Sequence, residues 1–163
     1  MAADLEHTLY LDVPAGRVVI AMRPDLAPQH CAQIKTLARR GFYDGVPFHR
    51  VIEGFMAQTG DPTGTGTGGS GNKLKAEFSR EKHVRGVVSM ARAADPDSGD
   101  SQFFIMFAPA PSLDGQYTVW GEVASGMEYI DRIKKGDSAR NGMVQNPDRI
   151  IKMQVAADAE QAG

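Results

Sequence analysis

Cysteine and one-sided charge are both nearly missing from this chain of 163 residues. Cys31 is the only cysteine, so an internal disulfide or a cysteine-rich metal site cannot form, and we expect a reducing, cytoplasmic location. The net charge is only -2, from 18 basic and 20 acidic residues, which argues against a nucleic-acid partner. No apolar run approaches the roughly 18 residues of a membrane span. The N-terminal stretch MAADLEHTLYLDV has no basic segment followed by an apolar one, so we expect neither a membrane segment nor a secretory signal.

Glycine and proline, with 18 and 9 residues, are plentiful and predict many turns between short strands. The length suits a single domain over residues 1–163, which we expect to be a monomer. Apolar residues alternate in HTLYLDVPAGRVVIAM, where Leu9, Leu11, Val18 and Ile20 are expected to share the buried face of a hairpin. Further short strands predict a mainly antiparallel sheet or barrel capped by two helices.

Helical periodicity appears in APQHCAQIKTLARRGF, where one face carries Ala27, Cys31, Ile34 and Ala38. On this face Cys31 is expected to be a small core residue rather than a nucleophile. A second, shorter helix is predicted in GMEYIDRIKKG and a strand in RIIKMQVAA. The final residues DAEQAG are expected to fray.

Five segments combine apolar, amide and guanidinium side chains in a specific order: FHRVIEGFMAQTGD, GTGG, SMARA, SQFFI and LDGQYTVWG. In order and spacing, they resemble the cyclophilin peptidyl-prolyl isomerases, and the likeness covers nearly the whole chain. The resemblance implies a closed eight-stranded antiparallel β-barrel with an α-helix over each end. It also implies an enzyme that accelerates rotation about Xaa-Pro bonds in peptides and in unfolded or folding proteins. The four histidines show no close-set metal-ligand spacing, so we expect no metal, and we expect no cofactor.

The implied chemistry gives a role to Arg50, which matches the principal catalytic residue of that family. A twisted Xaa-Pro amide acquires a lone pair on nitrogen, and a fixed guanidinium that donates a hydrogen bond there would lower the barrier. Strand parity places Gln58 beside Arg50, where it would hold the arginine or the substrate carbonyl. We therefore expect Arg50 and Gln58 to be catalytic.

The same resemblance predicts the substrate-binding residues. Those matching the proline pocket are Phe55, Met56, Phe104 and Leu113, with Tyr117 as a cover. Gln102 and Phe104 share a strand parity and would line the wall opposite Gln58. Ala91 and Arg92 would pair through their backbone with residues before the proline, and Thr67 would border the adjoining groove.

Three positions depart from the eukaryotic members of the family: Ser112 stands in place of a tryptophan, Tyr117 in place of a histidine, and Arg92 in place of an asparagine. Because that tryptophan helps to bind cyclosporin in the family, we expect weak cyclosporin binding. The isomerase hypothesis is unaffected.

Plainer interpretations exist for each feature. Arg50 could be a solvated strand residue, and the apolar pocket residues could all be ordinary core. Trp120 is expected to be core, and His49 to be a hydrogen-bonded structural residue pointing away from the site. The loop DPTGTGTGGSGNK lacks a phosphate-binding motif and is expected to be a surface excursion. DPDSGD is expected to be a surface turn rather than a calcium loop.

Two other functions compete with the isomerase. One is a non-catalytic proline-peptide binding module or chaperone on the same scaffold. The other is a hydrolase, for which the sequence offers no Ser-His-Asp set that can be placed and no paired acids.

Overall fold

A computed structural model describes residues 4–162, in which eight strands and three α-helices alternate with long loops. The strands are β1 (Thr8–Val13), β2 (Gly16–Met22), β3 (Arg50–Ile52), β4 (Met56–Thr59), β5 (Val87–Met90), β6 (Phe103–Met106), β7 (Val119–Ser125) and β8 (Lys152–Val155). The helices are α1 (Pro28–Arg39), α2 (Met127–Asp131) and α3 (Ala156–Ala162). Within the described part of the chain, no helix is long and apolar enough to cross a membrane.

All eight strands join one antiparallel sheet in the order β3-β4-β6-β5-β7-β2-β1-β8. The sheet curls through 208° and remains open, so the predicted closed barrel is not confirmed. Short stretches next to the two edge strands do meet. Gly45 N donates to Ile150 O (2.7 Å), Ile150 N to Val46 O (2.9 Å) and Phe48 N to Asp148 O (2.9 Å).

The predicted hairpin and first helix are confirmed. Strands β1 and β2 pair from Thr8↔Ala21 to Val13↔Gly16, and their buried face holds Leu9, Leu11, Val18 and Ile20 at 0% exposure. Helix α1 turns its buried face toward β7 and β8. Cys31 lies on that face and donates to Trp120 O at 3.3 Å. Burial raises the pKa of its thiol to about 12, so Cys31 is a core residue, as predicted, and not a nucleophile.

A distant carboxylate satisfies the first turn of α1, which has no side-chain cap of its own. Glu77 accepts hydrogen bonds from Gln29 N (3.3 Å) and His30 N (2.9 Å). Its Oε1 also lies 2.6 Å from Nδ1 of the buried His30. A negative charge at a helix N-terminus is stabilising, so Glu77 ties the loop that follows the glycine-rich segment to the helix.

The C-terminal end differs from its prediction. Helix α2 is present but only five residues long, whereas the DAEQAG tail expected to fray lies mostly within a third helix, α3. This helix contacts β1 and β8. Asp158 accepts from Arg39 Nε at 3.0 Å, and Glu160 accepts from Tyr10 Oη at 2.8 Å. Gly163, at the end of the predicted frayed tail, lies outside the described residues.

Two apolar clusters lie on opposite faces of the sheet. The larger one receives Val51, Ala57 and Ile105, all at 0% exposure, from neighbouring strands. The smaller cluster includes Met56 and Phe104 and is bordered by partly exposed apolar side chains. Because side chains alternate between faces along a strand, the residues that flank Val51 and Ala57 point toward this second cluster.

Candidate active site

Strand register places the predicted catalytic pair in one row across the sheet. Arg50 of β3 lies opposite Gln58 of β4, and Gln58 lies opposite Phe104 of β6. Directly paired residues project to the same face. The row therefore brings a guanidinium, an amide and an aromatic ring together on one face of the sheet. Gln58 lies beside Arg50, as predicted, but Phe104 is the direct neighbour of Gln58 and does not line an opposite wall.

The Arg50 guanidinium is held on two sides by protein acceptors. Its Nη1 donates to Gln58 Oε1 at 3.2 Å, while Nε donates to Asn141 O at 2.9 Å and Nη2 to Asn141 Oδ1 at 3.0 Å. A guanidinium carries five N–H bonds, so one on Nη1 and one on Nη2 are left over by these contacts. Partial burial lowers the pKa of Arg50, but an arginine in a protein stays charged.

Asn141 is a site residue that the sequence analysis missed. It adopts a left-handed backbone with φ of 60°, a conformation that asparagine tolerates better than most residues, and Gly142 follows it at φ of 80°. The Asn-Gly pair signals a turn. Nothing in the sequence indicates that this turn reaches a residue 91 positions earlier.

A small cavity of about 120 Å³ opens beside Arg50. Its lining consists of eight residues, all of them predicted for the site: Arg50, Phe55, Met56, Gln58, Ala91, Phe104, Leu113 and Tyr117. Met56 and Phe104 are almost fully buried, whereas Phe55 and Leu113 are partly exposed around the rim. Met56 and Phe104 belong to the smaller apolar cluster, separate from the main core, and Phe55 and Leu113 pack against it.

The aromatic wall of the cavity is arranged edge to face. The rings of Phe104 and Tyr117 lie 5.5 Å apart at 87°. The Arg92 guanidinium lies 4.8 Å from the centre of the Tyr117 ring, on which it can make a cation–π contact. Arg92 also donates to Gln116 O at 2.9 Å. The positive charge at position 92 is therefore used to hold Tyr117 and the adjacent backbone.

A larger groove of about 570 Å³ adjoins the cavity, and Ala91 lines both. The other predicted groove residues, Thr67, Arg92 and Gln102, also lie along it. Ala91 N already donates to Gln102 O at 2.9 Å. This N–H is therefore not free to pair with a substrate, which leaves the Ala91 carbonyl and the Arg92 backbone for that predicted role.

Behind the cavity, the structure assembles a Ser-His-Asp chain that the sequence analysis could not place. His83 Nδ1 lies 3.2 Å from Asp114 Oδ1, and His83 Nε2 lies 3.0 Å from Ser89 Oγ. The His83 ring stacks on Phe104 at 6.1 Å. Ser89 is 0% exposed and also bonds to Thr118 O at 3.0 Å, so it cannot reach a substrate as a nucleophile. The hydrogen-bonded Asp114–His83–Ser89 set therefore supports the Phe104 ring from behind the cavity.

His49 and Trp120 are both buried, as expected, but neither is satisfied. Both His49 ring nitrogens and Trp120 Nε1 make no hydrogen bond with the described residues. The prediction of a hydrogen-bonded His49 is therefore wrong, because neither ring nitrogen has a partner at hydrogen-bond geometry among the described residues. Trp120 packs edge-on against Phe103 at 5.4 Å and is the predicted core residue.

Three buried histidines should make the stability depend on pH. Burial lowers the pKa of His30, His49 and His83, although Glu77 and Asp114 raise the pKa of His30 and His83 in part. Just below pH 6.5, the histidines of the unfolded chain, with a pKa of 6.5, take up protons, whereas the three buried histidines of the folded state stay neutral. The unfolding free energy should therefore be highest above pH 6.5 and should decrease as the pH falls below that value. One pH unit lower, the loss should be up to ~1.4 kcal/mol for each histidine.

Urea unfolding at pH 7.5 and 5.5 checks this dependence. His49→Leu should flatten the slope, since it removes a titrating ring that makes no hydrogen bond. The variant retains both charged groups that act on the His49 pKa, namely Asp61, which raises it, and Arg50, which lowers it. A wild-type unfolding free energy that does not change between the two pH values would contradict the prediction.

Comparison with known proteins gives separate evidence on the family of this chain. Residues 8–155 match the family model described as cyclophilin type peptidyl-prolyl cis-trans isomerase/CLD. The chain is 55% identical to a probable peptidyl-prolyl cis-trans isomerase of Brucella suis, over 98% of this chain and 87% of the relative. A cyclophilin crystal structure from Hirschia baltica superposes with a TM-score of 0.86 at 27% identity, over 97% of this chain and 77% of that one. A cyclophilin-type isomerase from Cryptosporidium parvum, crystallised in the presence of the dipeptide Ala-Pro, gives a TM-score of 0.83 at 29% identity, over 91% and 98%.

Proposed function

The chain belongs to the cyclophilin-type peptidyl-prolyl cis-trans isomerases, and from this membership we propose how its own residues turn an Xaa-Pro bond. The activity is an isomerisation, in which no covalent bond is made or cut. The amide C–N bond has partial double-bond character, with a rotation barrier of about 18–20 kcal/mol. The enzyme needs only to bind the twisted amide more tightly than either planar form.

In the proposed mechanism, Arg50 supplies that selective binding. As the amide twists, its nitrogen becomes pyramidal and gains a lone pair that can accept a hydrogen bond. The observation that carries the proposal is the guanidinium itself: acceptors on Gln58 and Asn141 fix it, yet an N–H on each terminal nitrogen is left over beside the cavity. A preorganised donor at the position where charge develops is an effective way to lower a barrier.

The cavity grips the proline ring while the preceding part of the peptide turns. Met56, Phe104 and Leu113 form an apolar surface, and the cavity of about 120 Å³ has room for one side chain rather than a large ligand. Tyr117 closes one side and is held there by Arg92. Burial of the ring against these residues anchors one end of the rotating bond.

Proline-containing peptides and unfolded or folding proteins are the proposed substrates. The crystallised Cryptosporidium relative was studied with an Ala-Pro dipeptide, which supports the same class of ligand here. Residues before the proline would lie along the groove beside Thr67, Ala91 and Gln102. The groove is open and four of its twelve lining residues are glycines, so we expect many residues to be accepted before the proline.

Exchange NMR on a short Ala-Pro peptide with a substoichiometric amount of protein tests the proposal. Wild type should accelerate cis/trans exchange, which is otherwise a process of tens to hundreds of seconds. Binding without faster exchange would favour the alternative of a non-catalytic proline-peptide module. A hydrolase has no structural support, because Ser89 of the Asp114–His83–Ser89 chain is buried.

Several further expectations stay proposals. We propose a single-domain monomer in the cytoplasm, with weak cyclosporin binding because Ser112 replaces the family's tryptophan, and with no nucleic-acid, membrane or cofactor partner.

We also propose that the barrel is effectively closed, with the main-chain hydrogen bonds between residues 45–48 and 148–150 bridging its two edges. Such a bridge would keep β3, and with it Arg50, rigid.

A further inference from the structure

We propose that Gln102 is a positioning residue, whose side-chain amide is oriented by the glycine-rich loop and acts on Arg50 through Gln58. This inference rests on the proposed role of Arg50. It gives Gln102 a task different from the substrate contact that the sequence predicts, and it gives the loop over residues 61–68 a part in catalysis.

The loop determines which way the Gln102 amide points. Gln102 Nε2 lies 3.0 Å from Gly66 O and 2.9 Å from Gly68 O. Main-chain carbonyls only accept hydrogen bonds, so the NH₂ group of Gln102 must face the loop and its oxygen must face away. Both amide N–H bonds are then in use, and Gln102 has none left to donate to a substrate.

The orientation passes along a chain of amides to the guanidinium. Gln102 Oε1 accepts from Gln58 Nε2 at 2.9 Å, and Gln58 Oε1 accepts from Arg50 Nη1 at 3.2 Å. Each amide donates through its NH₂ group toward the loop side and accepts through its oxygen from the Arg50 side. The chain ends at main-chain carbonyls, which only accept, and at the guanidinium, which only donates. If Gln102 were reversed, Gln58 would turn its NH₂ group toward Arg50, and two donors would face each other.

A buried carboxylate holds the loop carbonyls in place. Asp61 is 0% exposed and accepts from Thr63 N (2.8 Å), Thr63 Oγ1 (2.7 Å), Thr65 N (3.1 Å) and Gly66 N (2.6 Å). These donors hold the pKa of Asp61 well below its usual range despite burial, so the anchor stays ionised at neutral pH. A Cβ atom on Gly68 would collide with Asp61 Oδ1, which shows how closely the loop passes over the carboxylate.

Gln102→Met tests the proposal, because methionine has a similar length but no amide, and position 102 is partly exposed. Exchange NMR with an Ala-Pro peptide gives the rate on the enzyme, and a titration gives Kd. We expect the rate on the enzyme to fall about tenfold while Kd changes less than twofold, since the change acts on Arg50 in the transition state. The side-chain amide signals of Gln58 should also shift.

Ser70→Ala is the matched control. It removes a hydrogen bond just beyond that loop, from Ser70 Oγ to Asp100, that is not part of the amide chain, and it should leave the rate and Kd unchanged. A second variant, Asp61→Asn, breaks the anchor without touching Gln58 or Arg50 and should slow exchange in the same way. If Asp61→Asn does not fold, Gln102→Met decides alone.

Two results would overturn the proposal. A Gln102→Met protein with weaker peptide binding but an unchanged rate on the enzyme would make Gln102 a substrate contact. A variant identical to wild type in both quantities would remove any role. Both differ from failure of the underlying mechanism, in which wild type itself would not accelerate exchange and the premise of the proposal would be lost.

Discussion

Arg50→Ala should slow catalysed cis/trans exchange by on the order of 100-fold, or about 2.7 kcal/mol of transition-state stabilisation. The reason is that alanine removes the donors that meet the twisted amide nitrogen and leaves the apolar cavity in place. Peptide affinity should therefore change much less than the rate. Exchange NMR at several peptide concentrations separates the two quantities, and an alanine variant within threefold of the wild-type rate would exclude Arg50 as the source of catalysis.

Arg50→Lys is the sharper control, because it keeps the charge and removes the fork. A single ammonium cannot serve Asn141 O, Asn141 Oδ1 and Gln58 Oε1 at once and still donate to substrate. We expect the lysine variant to lose nearly as much rate as the alanine variant. A lysine variant with most of the wild-type rate would show that charge alone is sufficient and that the fixed geometry of the fork is not required.

The site could be predicted from the sequence where its members lie on neighbouring strands. Period-two alternation places Met56 and Gln58 on one face, and the register then sets Arg50 and Phe104 beside Gln58. All eight residues that line the cavity were identified in this way or from the family motifs. Alternation within a strand is a local rule, whereas the pairing of β4 with β6 joins segments far apart in the sequence, so the family motifs were needed to bring the pocket residues together.

Contacts that depend on distant loops could not be predicted. Asn141 reaches Arg50 from a turn near the end of the chain, and Asp114 meets His83 across a gap of 31 residues. No periodicity connects such residues, because the loops that carry them have no regular geometry. The direction of the Gln58 and Gln102 amides is likewise a property of the assembled network, and it cannot be derived from residue types.

Helix α3 illustrates a different limit. Its seven residues are too few for a stable isolated helix, so a sequence-based expectation of fraying is reasonable. The helix forms against the hairpin, with Asp158 and Glu160 bonded to Arg39 and Tyr10. Tertiary contacts supply the stabilisation that the helix propensity of so short a segment does not.

The second large effect concerns the backbone that supports the site. Gly60→Ala should lower the unfolding free energy by about 3 kcal/mol, the sum of a left-handed backbone cost of ~1–2 kcal/mol and an overpacking cost of ~1–3 kcal/mol. Gly60 follows β4 with φ of 99°, and a Cβ there would collide with Ser101 O and lie 2.8 Å from Gln102 Cα. Both are backbone atoms that cannot move without displacing β6. Urea unfolding measures the change.

Gly54→Ala separates the two causes of that loss. Gly54 has a comparable φ of 75°, but no atom lies within 4 Å of the position that a Cβ would take, so only the conformational cost of ~1–2 kcal/mol should appear. The difference between the two variants then measures the collision with Ser101 and Gln102. Equal losses would mean that the backbone at Gly60 relaxes freely. In that case the backbone after β4, at Gly60 and Asp61, would move more easily than the close packing of β4 against β6 implies. Gln102 would then be held less rigidly.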